Sequence, residues 1–396
     1  MRKKTVRDVD VEGKRVLVRV DYNVPLDPES GRVLDDTRIK GTLPTIEYLR
    51  ERGAKMVLCS HLGRPRGKRE PSLSLWPVAE RLSELLDSPV KTTGCCCGPV
   101  VQEMAHSLEA GEVLLLENVR FHPEEEKNDP EYAKALASLA EVYVNDAFGA
   151  AHRAHASTEA VARYLPAVAG LLMEKELEFL GQAIQDPQRP YAAIIGGAKI
   201  STKMAVLESL LERVDKLLIG GGMANTFLKA EGIDVGESLV EDEFLDQARQ
   251  VMAQAKERGV TLLLPTDVIV ADRFAADAEA KQVSVRDVPE GWRIMDAGET
   301  TLDVFAEALE GCRTVVWNGP MGVIEFGSFA HGSHRLAAAV ANLKDATTIL
   351  GGGETMAVVE QLGIAGRFSH VSTGGGAALE FLEGRELPGV AALEEA

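Results

Sequence analysis

Two sets of residues in this sequence could handle phosphate or carboxylate groups, and they fall in different halves. In the first half, polar residues follow successive strand-like runs. They are Asp21 and Asn23, then His61 and Arg64, then Asn118 and Arg120, then Asn145-Asp146 and a loop with His152, Arg153 and His155. Guanidinium groups fork onto phosphate or carboxylate oxygens, so several arginines at strand ends suggest an anion site. His152 and His155 have a spacing that suits a metal pair on a helix, but the segment reads as loop and brings no third ligand. They are read as polar members of the anion site. In the second half the strand ends are glycine-rich: Gly196-Gly197, Gly220-Gly221-Gly222, Asn318-Gly319-Pro320-Met321-Gly322, Gly351-Gly352-Gly353-Glu354-Thr355 and Gly374-Gly375-Gly376. Such turns let a backbone approach phosphate closely at helix starts, so five of them suggest a nucleotide cradle. Lys199 and Lys203, four residues apart, are expected on one helical face beside it. Neither G-x-x-x-x-G-K-[ST] nor G-x-G-x-x-G occurs, which removes the main support for P-loop and dinucleotide readings.

The elements that would position these residues alternate along the chain. Arg15–Val20, Ala54–Cys59, Glu112–Leu116 and Val142–Asn145 read as strands, with helix-period stretches such as 43–52 and 75–86 between them. Six further strand-like runs, from Tyr191–Ile195 to His370–Ser372, repeat the arrangement. The expected fold class is α/β, two doubly wound parallel-sheet (Rossmann-like) domains joined by an interdomain helix, with a cleft between them. Residues 1–170 would form one domain, 171–186 the helix and hinge, and 187–386 the other.

Composition narrows the class of partner. The 396 residues carry 43 basic and 61 acidic side chains, a net charge of −18, and residues 1–185 account for only 25 − 29 = −4 of it. That field argues against a nucleic-acid or membrane surface while leaving local anion sites open. No segment approaches the roughly 18 apolar residues of a membrane span, and Met1–Thr5 leads into mixed polar sequence, so a cytoplasmic location is expected. The cysteines, Cys59, Cys95-Cys96-Cys97 and Cys312, include no C-x-x-C pair, and the triple run reads as structural.

Taken in order, the motifs resemble those of the phosphoglycerate kinase family over essentially the whole chain. They are Arg19-Val20-Asp21-Tyr22-Asn23-Val24-Pro25, Ser60-His61-Leu62-Gly63-Arg64-Pro65, Glu117-Asn118-Val119-Arg120-Phe121 and Asp146-Ala147-Phe148-Gly149 through His155. Gly196-Gly197-Ala198-Lys199, Trp317 through Gly322, Gly351 through Thr355 and Ser372 through Gly376 follow. The resemblance implies a glycolytic and gluconeogenic enzyme. It would transfer a phosphoryl group between 1,3-bisphosphoglycerate and ADP, giving 3-phosphoglycerate and ATP, with Mg²⁺, as a monomer that closes on its substrates. It assigns Asp21, Asn23, Arg38, His61, Arg64, Arg120 and Arg153 to phosphoglycerate. Gly197, Lys203, Gly221, Gly222, Asn318, Glu325, Gly352, Gly353, Glu354 and Thr355 go to the nucleotide, with Glu354 on the metal. Arg38, Lys199, Lys203 and Gly375 would stabilise the transferring group, and residues 387–396 would fold back on the first domain. Glu354 stands where the family usually has Asp, and Asp296-Ala297-Gly298-Glu299 departs from its D-I-G-P motif. A two-lobed non-catalytic binder and a dehydrogenase are the alternatives; the second phosphate cradle and the missing dinucleotide fingerprint count against them.

Overall fold

A computed structural model describes residues 2–396. Its backbone divides into two units, Met1–Glu178 with Glu386–Ala396, and Phe179–Arg385, the division falling within the helix Leu171–Gln185.

The first unit is built on β1 (Arg15–Arg19), β2 (Lys55–Cys59), β3 (Val90–Thr92), β4 (Val113–Leu115), β5 (Val142–Asn145) and β6 (Ala167–Ala169). They form one parallel sheet in the order β3-β4-β2-β1-β5-β6. Its central strands are apolar on both faces, as a sheet covered by helices on each side requires, and Val16, Leu17 and Val18 are fully buried. From β1 the chain winds outward through β2, then returns to place β5 on the other side. The order therefore reverses between β1 and β5, and a crevice opens beyond their carboxyl ends. Asp21 follows β1 there, and Asp146 follows β5.

The second unit contains β7 (Tyr191–Ile195), β8 (Lys216–Ile219), β9 (Thr261–Leu263), β10 (Asp267–Ala271), β11 (Ala280–Ser284), β12 (Arg293–Ala297), β13 (Thr314–Asn318), β14 (Thr347–Gly351) and β15 (His370–Val371). Six of these make a second parallel sheet in the order β15-β14-β13-β7-β8-β9. Its reversal lies between β7 and β13, where Gly196 and Gly319 emerge. Two doubly wound parallel sheets are thus present, as the alternating pattern implies. The sequence reading did not include β10, β11 and β12, which form a separate antiparallel sheet in the order β11-β10-β12.

The chain's last residues pack on the first unit. Lys4 N donates to Glu394 O at 2.9 Å and Glu394 N to Ala167 O at 2.9 Å. Leu387, Val390 and Leu393 are buried, and the buried Lys3 ammonium donates to Leu393 O at 2.9 Å. Asn145 Nδ2, at the end of β5, donates to Gly389 O at 3.1 Å, so the tail is tied to a strand end that borders the crevice. Leu393→Ala should cost about 2–4 kcal/mol by emptying a packed site. The midpoint of urea unfolding reads this, and an unchanged midpoint would show that the tail contributes nothing.

Candidate active site

In the first unit, cationic side chains gather around His61, which follows β2. Arg38, on the helix Thr37–Glu51, donates from Nη1 to Asp21 Oδ2 at 2.8 Å, and both groups remain partly accessible. Asn23 is exposed, and its Oδ1 accepts from Gly63 N at 2.8 Å. Arg120 is buried, and its Nη1 donates to Gly63 O at 2.8 Å. Its Nε has no hydrogen-bond partner among the described residues, with Glu126 Oε1 3.5 Å away. Arg153 Nε donates to His152 Nε2 at 3.1 Å, and Arg64 is exposed.

Beneath them lies a guanidinium that sequence reading passed over as a strand residue. Arg19 is fully buried at the end of β1. Its Nε donates to Ser157 Oγ at 2.8 Å, and Ser157 Oγ donates to the buried Glu125 Oε1 at 2.6 Å. Its Nη2 lies 3.1 Å from His61 Nδ1. Arginine can only donate, so Nδ1 accepts and the His61 ring proton sits on Nε2. Burial, then Arg19, Arg120, Arg38 and Arg153 in turn, hold the His61 pKa well below its ordinary value. The same combination of burial with Arg120, Arg19 and Arg153 brings His155 down to about 4. Burial and the neighbouring Arg153 and Arg19 likewise bring Arg120 down to about 10. Positive charge has been concentrated here at an electrostatic cost, which an anionic ligand would relieve.

In the second unit the glycines serve two purposes. Gly196 N donates to Asn318 O at 2.8 Å and Gly197 N to Pro320 O at 3.0 Å, so the turns after β7 and β13 interlock. A Cβ on Gly196 would lie 2.2 Å from Pro320 O, and one on Gly319 (φ +92°) 2.3 Å from Gly196 O. Gly221 and Gly222 similarly abut Gly197 and Ala198. These glycines are required for backbone to pack on backbone. At Gly197, Gly353, Gly375 and Gly376, by contrast, a Cβ would meet nothing within 4 Å. Those positions leave space where a ligand could approach.

A cavity of about 240 Å³ adjoins the interlocked turns, lined by Gly221, Gly222, Phe274, Met295, Met321 and Val323 with Asp296, Glu325 and Glu354 among its polar groups. It offers apolar walls for a flat ring. Asp296 Oδ2 accepts from Gly332 N at 2.8 Å, and burial raises the carboxyl to about 7. A larger depression of 680 Å³, beside Ser30–Asp36 in the first unit, is lined by Asp35, Asp36, Glu80 and Glu84, with Arg81 already bound to Asp36 at 2.7 Å; it would repel an anion.

Lys199 and Lys203 do not share a helical face. Lys199 is extended and exposed before the turn Ile200–Thr202, whereas Lys203 caps the helix Met204–Leu211. Lys203 Nζ donates to Asn318 Oδ1. Burial lowers the lysine pKa, while the charges of Glu354 and Glu383 oppose that shift. Thr355 Oγ1 is fully buried and accepts from Gly319 N at 2.8 Å, so it braces the turn after β13. Glu354 and Glu325 are exposed, as is Gly353.

The phosphoglycerate kinase family profile matches residues 6–385. The phosphoglycerate kinase of Moorella thermoacetica is 59% identical over 395 residues, covering 100% of both chains. That of Synechococcus elongatus is 60% identical over 390 residues, covering 98% of this chain and 97% of its own. The chain belongs to the phosphoglycerate kinase family. Among solved structures, the phosphoglycerate kinase of Coxiella burnetii superposes with a TM-score of 0.88 at 43% identity, covering 98% of each chain. That of Pyrococcus horikoshii gives 0.85 at 36% identity with the same coverage. The dehydrogenase and non-catalytic alternatives fall with this assignment: the chain is a phosphotransferase of the kinase type.

His155 gives a direct test of the cation cluster. Its folded pKa of about 4 lies below the unfolded value near 6.5. The unfolded chain therefore binds more protons between those values, and stability falls as pH drops from about 6.5 to 4. By NMR, the His155 ring should titrate near 4 in the free protein and at higher pH with 3-phosphoglycerate bound. Titration near 6.5 in both states would exclude the cluster's influence.

Proposed function

We propose that this chain catalyses reversible phosphoryl transfer between 1,3-bisphosphoglycerate and ADP, giving 3-phosphoglycerate and ATP, as a cytoplasmic, monomeric enzyme of glycolysis and gluconeogenesis. The observation that carries this reading is the pairing of two unlike switch points: one crowded with guanidiniums, the other built of interlocked glycine turns with a half-buried lysine. Each suits one of the two anionic substrates.

Arg64, Arg120 and Arg153 would hold the remote phosphate of phosphoglycerate, with the His61 Nε2–H as an oriented donor. Asp21 and Asn23 would accept from its hydroxyl, while Asp21 also keeps Arg38 aimed. Gly221 and Gly222 would border the base, with Glu325, Gly352, Gly353 and Thr355 toward the ribose and phosphates. In the direction of ATP consumption the acceptor is a carboxylate, already ionised at pH 7, so no general base is needed. Catalysis then reduces to positioning and to neutralising charge on the transferring phosphoryl. Arg38, Lys199, Lys203 and the N–H groups at Gly375–Gly376 would do this, Lys203 from a desolvated position where its charge acts strongly. In-line transfer needs both reacting oxygens within bonding reach, which makes closure of the units part of the mechanism.

The residues near Glu354 suit Mg²⁺, since an exposed carboxylate beside unfilled space at Gly353 leaves room for the waters this ion retains. Bound there with the nucleotide, it would neutralise phosphate charge. The longer Glu side chain sets the carboxylate one methylene further out than Asp would.

A coupled assay of ATP formation from 1,3-bisphosphoglycerate and ADP tests the reading, and no turnover with Mg²⁺ or Mn²⁺ would overturn it. Lys203→Ala should lower kcat by about 10² or more; an unchanged kcat would place this lysine outside the transition state. Arg38→Ala should lower kcat as well as raise the KM for phosphoglycerate, whereas a KM effect alone would mean uniform binding. Glu354→Asp should shift the Mg²⁺/Mn²⁺ activity ratio if the carboxylate joins the metal shell.

A further inference from the structure

The three successive cysteines have no part in phosphoryl transfer, and the fold gives them different surroundings. They lie in the loop between β3 and the helix Pro99–His106. Cys96 is buried and its Sγ donates to Glu117 O at 2.8 Å. Thr93 Oγ1 reinforces the loop, donating to Cys95 O at 2.6 Å and accepting from Glu117 N at 3.2 Å. With Cys96 pinned inward, Cys95 and Cys97 are half-buried beside His122, a residue from a different strand end.

The ligating atoms of Cys95, Cys97 and His122 all lie within 4.8 Å of one another. Cys95 Sγ and His122 Nε2 are 3.4 Å apart. A tetrahedral zinc ion, with bonds of about 2.3 Å to sulfur and 2.0–2.1 Å to nitrogen, sets S···N edges near 3.5 Å and S···S edges near 3.8 Å. One edge is already at that length, and no pair would need to close by more than about 1.3 Å. The His122 ring is held by stacking on Tyr132, with centroids 4.9 Å apart and planes 26° apart. The Glu124 carboxylate is near enough for its charge to raise the pKa of both His122 and Cys97.

We propose that Cys95, Cys97 and His122 form a binding site for a borderline-soft divalent cation of the zinc class, with water or the Glu124 carboxylate completing the tetrahedron. Two S–H bonds break as two metal–sulfur bonds form, both protons pass to solvent, and the two thiolates neutralise the ion's charge. Oxygen-seeking Mg²⁺ would not compete for such ligands. The ion would tie the turn Val119–Phe121, which carries Arg120, to the loop ahead of the helix Pro99–His106. The site is separate from the nucleotide-side carboxylate Glu354.

Titrating reduced, chelator-treated, full-length protein with Co²⁺ tests this. The expected result is one Co²⁺ per chain, with thiolate-to-metal charge transfer in the near ultraviolet and the intense visible bands of four-coordinate cobalt. One equivalent of Zn²⁺ should bleach both, and binding should release about two protons. Cys97→Ser and His122→Gln should each weaken binding by about tenfold or more, while Cys312→Ser should leave the spectrum unchanged. Should either site variant fail to fold, the wild-type protein still decides: Zn²⁺ should slow alkylation of Cys95 and Cys97 together. Absence of thiolate charge transfer, spectra indifferent to Cys97→Ser and His122→Gln, or no protection from alkylation would overturn the proposal. So would a Cys95–Cys97 disulfide whose reduced form binds no cobalt.

Discussion

Like charges held close together are the constraint around which the first unit is organised. Arg19, Arg38, Arg120 and Arg153 all act on His61, and their mutual repulsion has to be carried by the rest of the fold. Arg19 carries much of it. Its guanidinium is fully enclosed, bridged by Ser157 to Glu125, and the carboxylate there is also wholly buried. Removing either charge would strand the other in a low-dielectric interior, at a cost of about 3–5 kcal/mol. The arrangement leaves His61 and His155 neutral at pH 7, so both can orient a ligand without adding to the repulsion.

The second unit meets the opposite problem, because Phe179–Arg385 carries 18 basic against 29 acidic residues, or 18 − 29 = −11. That background would offset the pull of a cation cluster on an anion, and the cavity beside the β7/β13 turns is lined by one cationic side chain, Arg293. Backbone takes the place of side chains. Interlocked turns bring the starts of several helices together, and only glycine permits the approach of Gly196 to Pro320 O or of Gly319 to Gly196 O. Thr355 and Asn318 then fix the turn and Lys203 with hydroxyl and amide rather than with charge.

How much of this was legible in the sequence follows from which physical signals are local. Most of the parallel strands announced themselves, because double-sided burial makes continuous apolar runs such as Val16–Val18 and Leu217–Ile219, whereas the three-residue edge strands β3 and β6 did not. The residues after those runs are the ones found at the crevices. β11 was illegible for the same reason: Ala280–Ser284 is almost wholly exposed and polar, and its pairing with β10 is decided by tertiary context. Arg19 was hidden by its place inside a strand run, since its enclosure depends on Ser157 and Glu125, far along the chain. The lysine pair misled because i, i+4 implies a shared face only within one helix, and a turn at Ile200–Thr202 intervenes. For the cysteines, spacing alone showed no metal pattern, because the third ligand follows β4 and only sheet order brings it near.

Net charge therefore says little about what either site can bind. The total of −18 and the cation cluster coexist because screening confines surface charges to about a Debye length, near 8–10 Å at physiological salt. Within that distance the partly buried groups dominate, since they are screened least and interact through protein rather than water. At β1/β5 those groups are guanidiniums. At β7/β13 they are peptide dipoles and one lysine. An acidic surface beyond them still repels polyanions, which cannot place all their charge inside such a crevice. A small phosphate ester could, so an acidic surface and a crevice suited to anions are compatible in one molecule.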